Sequence, residues 1–356
     1  MTHPSPPTPR PPNPDSRPEP SPPGRRSPGS DSWLERSPAG SRSPESVSPS
    51  EVLRCAASAE LRGDSLVASA PPAERWLLIE SRTPWPREAL NALRPADPTT
   101  GLDLAAAVAR LCVAQRCRPA LIRRYGRIDR KAPRRWAMVD SRPGHESVRW
   151  GDLPNDDHLL NVLSGADPGT PSTEPIYLVC THGRHDACCA IRGRPAAAVL
   201  AAAYPNQTWE CSHVGGDRFA ANLVFLPHSL FYGHVPATHA ATLAAQYNKG
   251  SIVPAYFRGS AAVSAPVQAA QHFAREAGLS LSVDALHPIA VHQLAPAQWQ
   301  VLLDNDGHPL EVKVSAHLTT INAALTCAAT APGQARTFTL TTPINSPSDP
   351  PLGGGR

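Results

Sequence analysis

The chain has 356 residues, enough for two domains, and carries a net charge of +4 at pH 7. Its eight cysteines are too few and too irregularly spaced to form the disulfide framework of a small secreted protein. The chain begins without a compact apolar signal segment, and its longest apolar run, near 196–204, is far shorter than a membrane span. We therefore expect a cytoplasmic protein with reduced thiols and no membrane contact.

Basic residues are concentrated at 110–136, in the stretch RLCVAQRCRPALIRRYGRIDRKAPRRW. No recognition-helix or zinc-finger motif accompanies this stretch, which argues against a nucleic-acid partner. A basic surface of this kind can contact an acidic protein partner, or it can simply face solvent. The sequence leaves both interpretations open.

Both ends of the chain are predicted to be disordered. Residues 1–50 are dominated by proline, serine and arginine, a composition that cannot bury a core and that favours local polyproline II structure. The last residues, 346–356, read SPSDPPLGGGR and are predicted to form a second disordered tail. Order is expected to begin near Glu51.

A first ordered unit is predicted over 51–171. Its strands are predicted at 75–81, 119–125, 134–140 and 147–150. A helix at 102–115 is predicted to bury one apolar face, formed by Leu104, Val108, Leu111 and Cys112. A second helix is predicted at 158–165, where it ends at a glycine.

A second unit, predicted over 172–260, repeats this order of elements. A buried strand at 176–183 runs into a polar loop, and a helix at 193–204 follows with a proline in its first turn. A strand, a hairpin and a further helix complete the unit, at 208–213, 223–235 and 237–247. The repetition predicts an α/β fold of two tandem related units, of which only the second carries candidate metal ligands.

The remaining residues, 261–345, are predicted to form a small C-terminal α+β extension. A helix is expected at 265–279, delimited by a serine cap, a proline in the first turn and a terminal glycine. The stretch 299–317 has a hairpin signature around an Asn-Asp-Gly turn, and 337–343 adds a strand.

Cysteines and histidines are concentrated in the second unit, within 176–235. This stretch contains two clusters, CTHGRHDACC at 180–189 and CSHVGGD at 211–217. Thiolates and imidazoles are the ligands that bind zinc and iron–sulfur clusters, so their convergence indicates a metal site. Buried cysteines can also act as small apolar side chains, but the interleaved histidines, aspartates and paired glycines are not typical of a core.

The predicted strands and helix explain how these residues can meet. Cys180 lies at a strand end, where ligands bind in open α/β sheets, and Cys188 and Cys189 are expected in the loop before the next helix. A neighbouring strand can bring His213 to the same edge. The paired glycines at 215–216 can offer backbone N–H groups to anionic sulfur, because no Cβ blocks the approach.

The motifs VCTHGRHDACC and WECSHVGGDRFAAN resemble the sucrase/ferredoxin-like family, whose cluster-binding members are thioredoxin-like ferredoxins. The resemblance covers about 51–280. It implies tandem thioredoxin-like domains, each with a central mixed sheet flanked by helices, the first domain lacking the metal site. It also implies a 2Fe–2S cluster in the second domain.

In the eukaryotic branch of that family, two cysteines nine residues apart and two histidines four residues apart hold the cluster. The resemblance implies that Cys180 and Cys189 are the cysteine pair and that His213 is the first histidine. Asp217 stands where the second histidine would be. Asp217 is therefore the predicted fourth ligand, with Cys188 and Cys211 as the alternatives.

The function predicted from the resemblance is electron transfer, with an unidentified reductase or acceptor protein as redox partner. Three arginines near the first cluster are expected either to form a docking face for that partner or to balance the charge of the cluster: Arg184, Arg192 and Arg194. Replacing thiolates by neutral imidazoles lowers the negative charge of an iron–sulfur cluster and raises its potential.

Two other functions remain open from the sequence. The same residues can form a zinc or thiol-redox site, although the short paired knuckles of common zinc sites are missing. A glycoside hydrolase, which the family name suggests, needs two carboxylates that flank the scissile bond. The acids between 176 and 250 are Asp186, Glu210 and Asp217, and no run of sugar-stacking aromatic residues accompanies them. We therefore expect an electron-transfer protein rather than a hydrolase.

Overall fold

The computed structural model describes residues 53–126, 129 and 131–344. The tails predicted to be disordered, 1–50 and 346–356, lie outside the described residues. Among the described residues, no helix has both the length and the hydrophobicity needed to cross a bilayer.

The described residues form six α-helices and fourteen strands. The helices are α1 Cys55–Arg62, α2 Leu104–Ala114, α3 His158–Ser164, α4 Ala187–Ala203, α5 Ala240–Tyr247 and α6 Ala265–Glu276. The first five strands are β1 Arg75–Glu80, β2 Cys117–Arg123, β3 Arg135–Asp140, β4 Ser147–Asp152 and β5 Thr170–Ser172. The next five are β6 Ile176–Cys180, β7 Thr208–Cys211, β8 Leu223–Leu226, β9 Leu230–Tyr232 and β10 Phe257–Ser260. The last four are β11 His287–Ala295, β12 Gln298–Asn305, β13 His308–Ile321 and β14 Gly333–Leu340.

Ten strands form one mixed sheet in the order β10-β9-β8-β6-β7-β2-β1-β3-β4-β5. In its first half, β1 pairs parallel with β2 and antiparallel with β3, and β3 pairs antiparallel with β4. In its second half, β6 pairs parallel with β7 and antiparallel with β8, and β8 pairs antiparallel with β9. The order β2-β1-β3-β4 in the first half thus corresponds to β7-β6-β8-β9 in the second half, with the same parallel and antiparallel pairings. The two halves meet where β2 pairs antiparallel with β7.

Each half of the sheet buries one face under its own helices. In the first half, Leu77 and Ile79 of β1 lie in one apolar cluster with Val108 of α2. In the second half, Val179 of β6 lies in another with Leu200 of α4. Alternate side chains on a strand point to opposite faces, so each strand also contributes to a second core.

That second core is shared by both halves. It contains Trp76 and Leu78 of β1 together with Leu178 of β6 and Phe231 of β9. The Trp76 indole Nε1 donates a hydrogen bond of 2.9 Å to Ser229 Oγ, which links β1 to the β8–β9 turn. Because β1 and β9 are separated by several strands in the sheet order, this contact shows that the sheet is strongly curled.

The last four strands form a separate antiparallel sheet in the order β11-β12-β13-β14. Its buried face packs against α6, where Val301, Val312 and Val314 lie in one cluster with Ala270 and Ala274. The hairpin predicted around the Asn-Asp-Gly turn is present, because β12 and β13 pair in register from Asn305 and His308 outward.

Two local predictions are wrong. The helix predicted at 193–204 begins earlier, at Ala187, because the Asp186 side chain caps it by accepting a hydrogen bond from the Cys188 backbone N–H. Cys188 and Cys189 therefore lie in the first turn of α4 and not in a loop. In α2, Leu104, Val108 and Cys112 are buried as predicted, whereas Leu111 is 38% exposed because it lies at the rim of the buried face.

Gly193 allows α4 to lie directly against the end of β6, since a Cβ at this position would collide with the Cys180 carbonyl oxygen. We expect Gly193→Ala to lower the free energy of unfolding by about 1–3 kcal/mol, the usual cost of overpacking. Urea unfolding measures this change. The control is Arg194→Ala at the next, exposed position of the helix, which should change stability by less than about 0.5 kcal/mol. An unchanged midpoint for Gly193→Ala would contradict the close contact.

Candidate metal centre

The candidate centre lies at the ends of β6 and β7, beside the first turn of α4. Cys180 is the last residue of β6 and is in register with Cys211 at the end of β7. The chain leaves β7 through His213 and enters a short 3-10 helix at Asp217. Since β6 and β7 are parallel, their carboxyl ends lie at the same edge of the sheet and bring the two cysteine–histidine motifs together.

The structure brings together the two cysteines and the histidine implied by the resemblance. Cys180 Sγ, Cys189 Sγ and one ring nitrogen of His213 all lie within 4.8 Å of one another. Cys189 Sγ lies 3.9 Å from His213 Nδ1. Both cysteines are buried, with exposures of 1% and 0%.

Asp217 lies beside this group. Its Oδ1 is 3.0 Å from His213 Nδ1 and 3.4 Å from Cys189 Sγ. Its other oxygen, Oδ2, is 3.9 Å from His185 Nε2. Asp217 thus belongs to a second set of donor atoms within 4.8 Å of one another, with His185 and His213, and it adjoins the two thiols through His213 and Cys189.

Electrostatic interactions within the group stabilise the ionised forms of Cys180 and His213. A hydrogen bond from Cys189, followed by the interaction with His213, holds the pKa of the Cys180 thiol well below its usual range despite burial. Burial by itself lowers the pKa of His213, but Asp217 and Cys180 outweigh it and raise the pKa to about 9. The metal-free site thus favours a Cys180 thiolate beside a His213 imidazolium, and the thiolate is the form that binds metals.

His182 supports the centre without joining the ligand group. Its Nε2 donates to the Pro86 carbonyl at 2.8 Å, and its Nδ1 accepts from the His213 backbone N–H at 3.2 Å. These two bonds require a neutral ring with the proton on Nε2. Trp85 meets the same ring edge to face, at 5.7 Å between ring centroids. His182 is therefore a buried positioning residue that fixes the backbone of His213.

The glycine pair follows His213 and turns the chain towards Asp217. Gly215 and Gly216 have φ values of +94° and +83°, a left-handed backbone that favours glycine. A Cβ on Gly216 would lie 2.5 Å from an Arg258 guanidinium nitrogen. Glycine is therefore required at both positions by the left-handed backbone, and at Gly216 also by the close approach of Arg258. Neither requirement can be recognised from the motif alone.

One side of the centre reaches the surface. The His185 ring stacks on the His213 ring at 3.8 Å between centroids, and their side chains are 26% and 18% exposed. Both histidines line a cleft of about 460 Å³, whose opposite wall includes Arg87, Glu88 and Asn91 of the first half. The buried thiols are therefore separated from solvent by one layer of imidazole.

The two alternative fourth ligands are not part of this group. Among the described residues, Cys211 does not belong to any set of three or more donor atoms within 4.8 Å of one another. Cys188 points away from Cys189, and its Sγ lies 3.6 Å from Cys55 Sγ and 3.4 Å from Cys327 Sγ. By contrast, a ring nitrogen of His185 lies within 4.8 Å of donor atoms of both His213 and Asp217.

Sequence reasoning missed the roles of His182, His185 and Arg258. The first two lie inside the CTHGRHDACC motif, so their spacing from Cys180 was visible, but their contacts depend on Pro86 and His213 from other parts of the chain. Arg258 lies outside both motifs and gave no signal in the sequence.

A family model described as Sucrase/ferredoxin-like matches residues 66–259, which is more than half of the chain. No curated protein matches the chain, and no solved structure does. The matched segment includes every residue of the candidate centre.

Proposed function

The chain belongs to the sucrase/ferredoxin-like family, and from this premise we propose that it is an electron-transfer protein that holds a 2Fe–2S cluster. The proposed ligands are Cys180, Cys189, His213 and Asp217. The observation that carries the proposal is the convergence of Cys180, Cys189 and His213 within 4.8 Å, with Asp217 in contact.

The donor set fits the group. Thiolate sulfur is the usual ligand of iron in such clusters, and imidazole replaces it in some of them. The site is closed on the protein side by buried cysteines and open on the histidine side, which suits an electron carrier that must exchange with a partner at its surface. When bound, the cluster would supply reversible one-electron chemistry, and the protein would hold it and set its charge.

The shared topology of the two halves of the large sheet supports tandem thioredoxin-like units. Each half has a parallel pair of strands flanked on one side by an antiparallel pair, the order expected of a thioredoxin-like core. We assign 51–171 and 172–260 to these two units, and 261–345 to the extension. On this assignment the first unit lacks the ligands but supplies Pro86 and the opposite wall of the cleft.

The proposed partner is a reductase or an acceptor protein that docks over the cleft. Arg184 and Arg194 are exposed, whereas Arg192 forms bonds of 2.6 and 2.7 Å to Glu60. Arg184, next to His185, is therefore the arginine best placed to meet an acidic partner surface. The eight cysteines are free thiols, which fits the cytoplasmic location that we propose.

A zinc ion at the same site is the second candidate. A tetrahedral ion holds its ligands within roughly 4 Å of one another, and the short separations among Cys180, Cys189 and His213 suit a single ion. The glycosidase alternative has less support. Glu210 is paired with Arg123 at 2.8 Å, Asp217 with His213, and Asp186 accepts backbone N–H bonds.

The test is the visible absorption and EPR spectrum of the anaerobically purified protein, with iron and sulfide determination. We expect about two irons and two sulfides per chain, and their loss in Cys180→Ala and Cys189→Ala. Cys112→Ala removes a buried cysteine of α2 and should leave the spectrum unchanged. A colourless protein that holds zinc lost in the same two variants would favour the second candidate.

A further inference from the structure

Three cysteines from distant parts of the chain meet outside the candidate centre. Cys55 opens α1, Cys188 lies in the first turn of α4, and Cys327 lies in the loop between β13 and β14. Their three Sγ–Sγ distances are 3.6 Å for 55–188, 3.4 Å for 188–327 and 3.5 Å for 55–327. Cys55 and Cys327 both lie outside the segment matched by the family model.

A fourth donor completes this group. The two oxygens of Asp186 each lie 3.8 Å from Cys55 Sγ, and the four residues form one set of donor atoms within 4.8 Å of one another. The same carboxylate accepts backbone N–H bonds from Cys188 at 2.8 Å and from Cys327 at 2.6 Å. Asp186 is therefore held in place by the chain segments that carry two of the cysteines.

We propose that Cys55, Cys188, Cys327 and Asp186 form a structural zinc site, separate from the candidate centre. A tetrahedral zinc ion with Zn–S bonds of about 2.3 Å sets its sulfur ligands roughly 3.8 Å apart. The near-equilateral triangle of sulfurs needs only a small expansion to meet that spacing. Each thiol gives up its proton to solvent on binding, and no electron is transferred.

Other arrangements fit less well. A disulfide requires two sulfurs about 2.05 Å apart and would leave the third thiol and the carboxylate without a role. In a 4Fe–4S cluster each thiolate binds a different iron, and in a 2Fe–2S cluster three thiolates must be divided between two irons. Either cluster would place at least one pair of sulfurs much farther apart than any pair lies here. The group is also not an ordinary apolar cluster, because it contains the Asp186 carboxylate, which is only 3% exposed. Burying a carboxylate is costly unless it has polar partners.

Part of the C-terminal sheet extends beyond its neighbours, and the proposed zinc site would hold this part in place. Residues 308–315 of β13 pair with β12, but 317–321 pair only with β14, as a two-stranded arm beyond the sheet. Most side chains of 317–321 are exposed, and Leu318 is 67% exposed. A two-stranded hairpin is marginal in water by itself. Cys327 lies in the loop at the tip of this arm, so a zinc ion there would fasten the arm to α1 and α4.

The consecutive cysteines of α4 thereby serve different sites. Cys189 faces Cys180 and His213, and Cys188 faces Cys55 and Cys327. This inference does not depend on the function proposed above, since the two ligand groups share no residue. The test uses Cys55 and Cys327, which are far along the chain from the first group, and leaves Cys188 unchanged.

The experiment measures zinc in the full-length protein, produced with zinc in the medium and purified without chelator. We expect one equivalent of zinc that is lost in Cys327→Ser and in Cys55→Ser, with the iron content and visible spectrum retained. Cys180→Ala and Cys189→Ala should keep this zinc, and so should Cys112→Ala. Zinc content unchanged by Cys55→Ser and Cys327→Ser would overturn the proposal, as would wild-type protein without zinc.

A second measurement does not rely on variants that must fold. Alkylation of the wild-type protein, followed by peptide mass spectrometry, reports which thiols are accessible with and without a zinc chelator. Cys327 is exposed in the structure, so it should react only after chelation if a metal binds it. Rapid alkylation of Cys327 before chelation, or a disulfide between two of the three cysteines, would contradict the zinc site.

Discussion

Asp217→Ala is expected to remove most of the bound iron, and Asp217→His to retain it at a higher reduction potential. Removing even a group beside a metal ligand typically costs about 10–100-fold in affinity, so the loss of the ligand itself should cost at least as much. The carboxylate carries a negative charge and is a harder donor than imidazole, so it favours the ferric state. A neutral histidine should raise the potential and make it depend more strongly on pH, because imidazole titrates near neutrality.

The measurements are iron content, EPR and a redox titration of each variant. Cys211→Ala is the matched control, since Cys211 belongs to no set of three or more donor atoms within 4.8 Å of one another among the described residues. It should keep the iron. If Asp217→Ala kept a full and spectrally unchanged cluster while Cys211→Ala lost it, the assignment of the carboxylate would be wrong.

Arg258→Met is expected to lower the free energy of unfolding by several kcal/mol, since each buried acceptor left without a donor costs about 1–3 kcal/mol. Arg258 is 2% exposed, and burial lowers the pKa of its guanidinium to about 9, which still leaves it protonated at pH 7. Among the described residues its hydrogen bonds end on uncharged oxygens, at 2.6 and 3.0 Å to Ser69, 3.0 Å to Gly215 and 2.7 Å to Asn222. Methionine would leave these buried acceptors without a donor.

The substitution should also loosen the candidate centre. Arg258 holds the Gly215 carbonyl, and Asn222, which it also holds, donates to the Gly216 carbonyl at 2.8 Å. Since this loop joins His213 to Asp217, we expect weaker metal retention in Arg258→Met even under folding conditions. Urea unfolding and iron content are the measurements, with exposed Arg194→Met as control. Equal stability of Arg258→Met and wild type would show that the buried network contributes little.

Local sequence patterns were sufficient for the strands with strong periodicity and for the hairpin around Asn305-Asp306-Gly307. They were insufficient where an element depends on distant contacts. The strand β11, at 287–295, was missed because it lies at the edge of its sheet and exposes most of its side chains, so that it shows no apolar alternation. The start of α4 was misplaced because Pro195 is typical of a first turn, whereas the Asp186 cap places it inside the helix.

The candidate metal centre was visible in the sequence because its cysteines and histidines lie in two short motifs, each at the end of a strand. The residue types indicated a metal site, and the resemblance to the family implied which of them would be ligands, namely Cys180, Cys189, His213 and Asp217. The cysteine group of α1, α4 and the β13–β14 loop could not be recognised in this way. Its members are separated by more than a hundred residues along the chain, and no spacing rule connects them.

The sequence by itself determined the residue types available for metal binding, the family and the order of the elements. The tertiary structure decided how those residues are divided between separate groups of donor atoms. Adjacent cysteines in a helix point in different directions, so only the packing of α4 against β6 on one side and α1 on the other separates Cys189 from Cys188. It also decided that the two halves share one curled sheet, because pairing between β2 and β7 depends on contacts that no local pattern encodes.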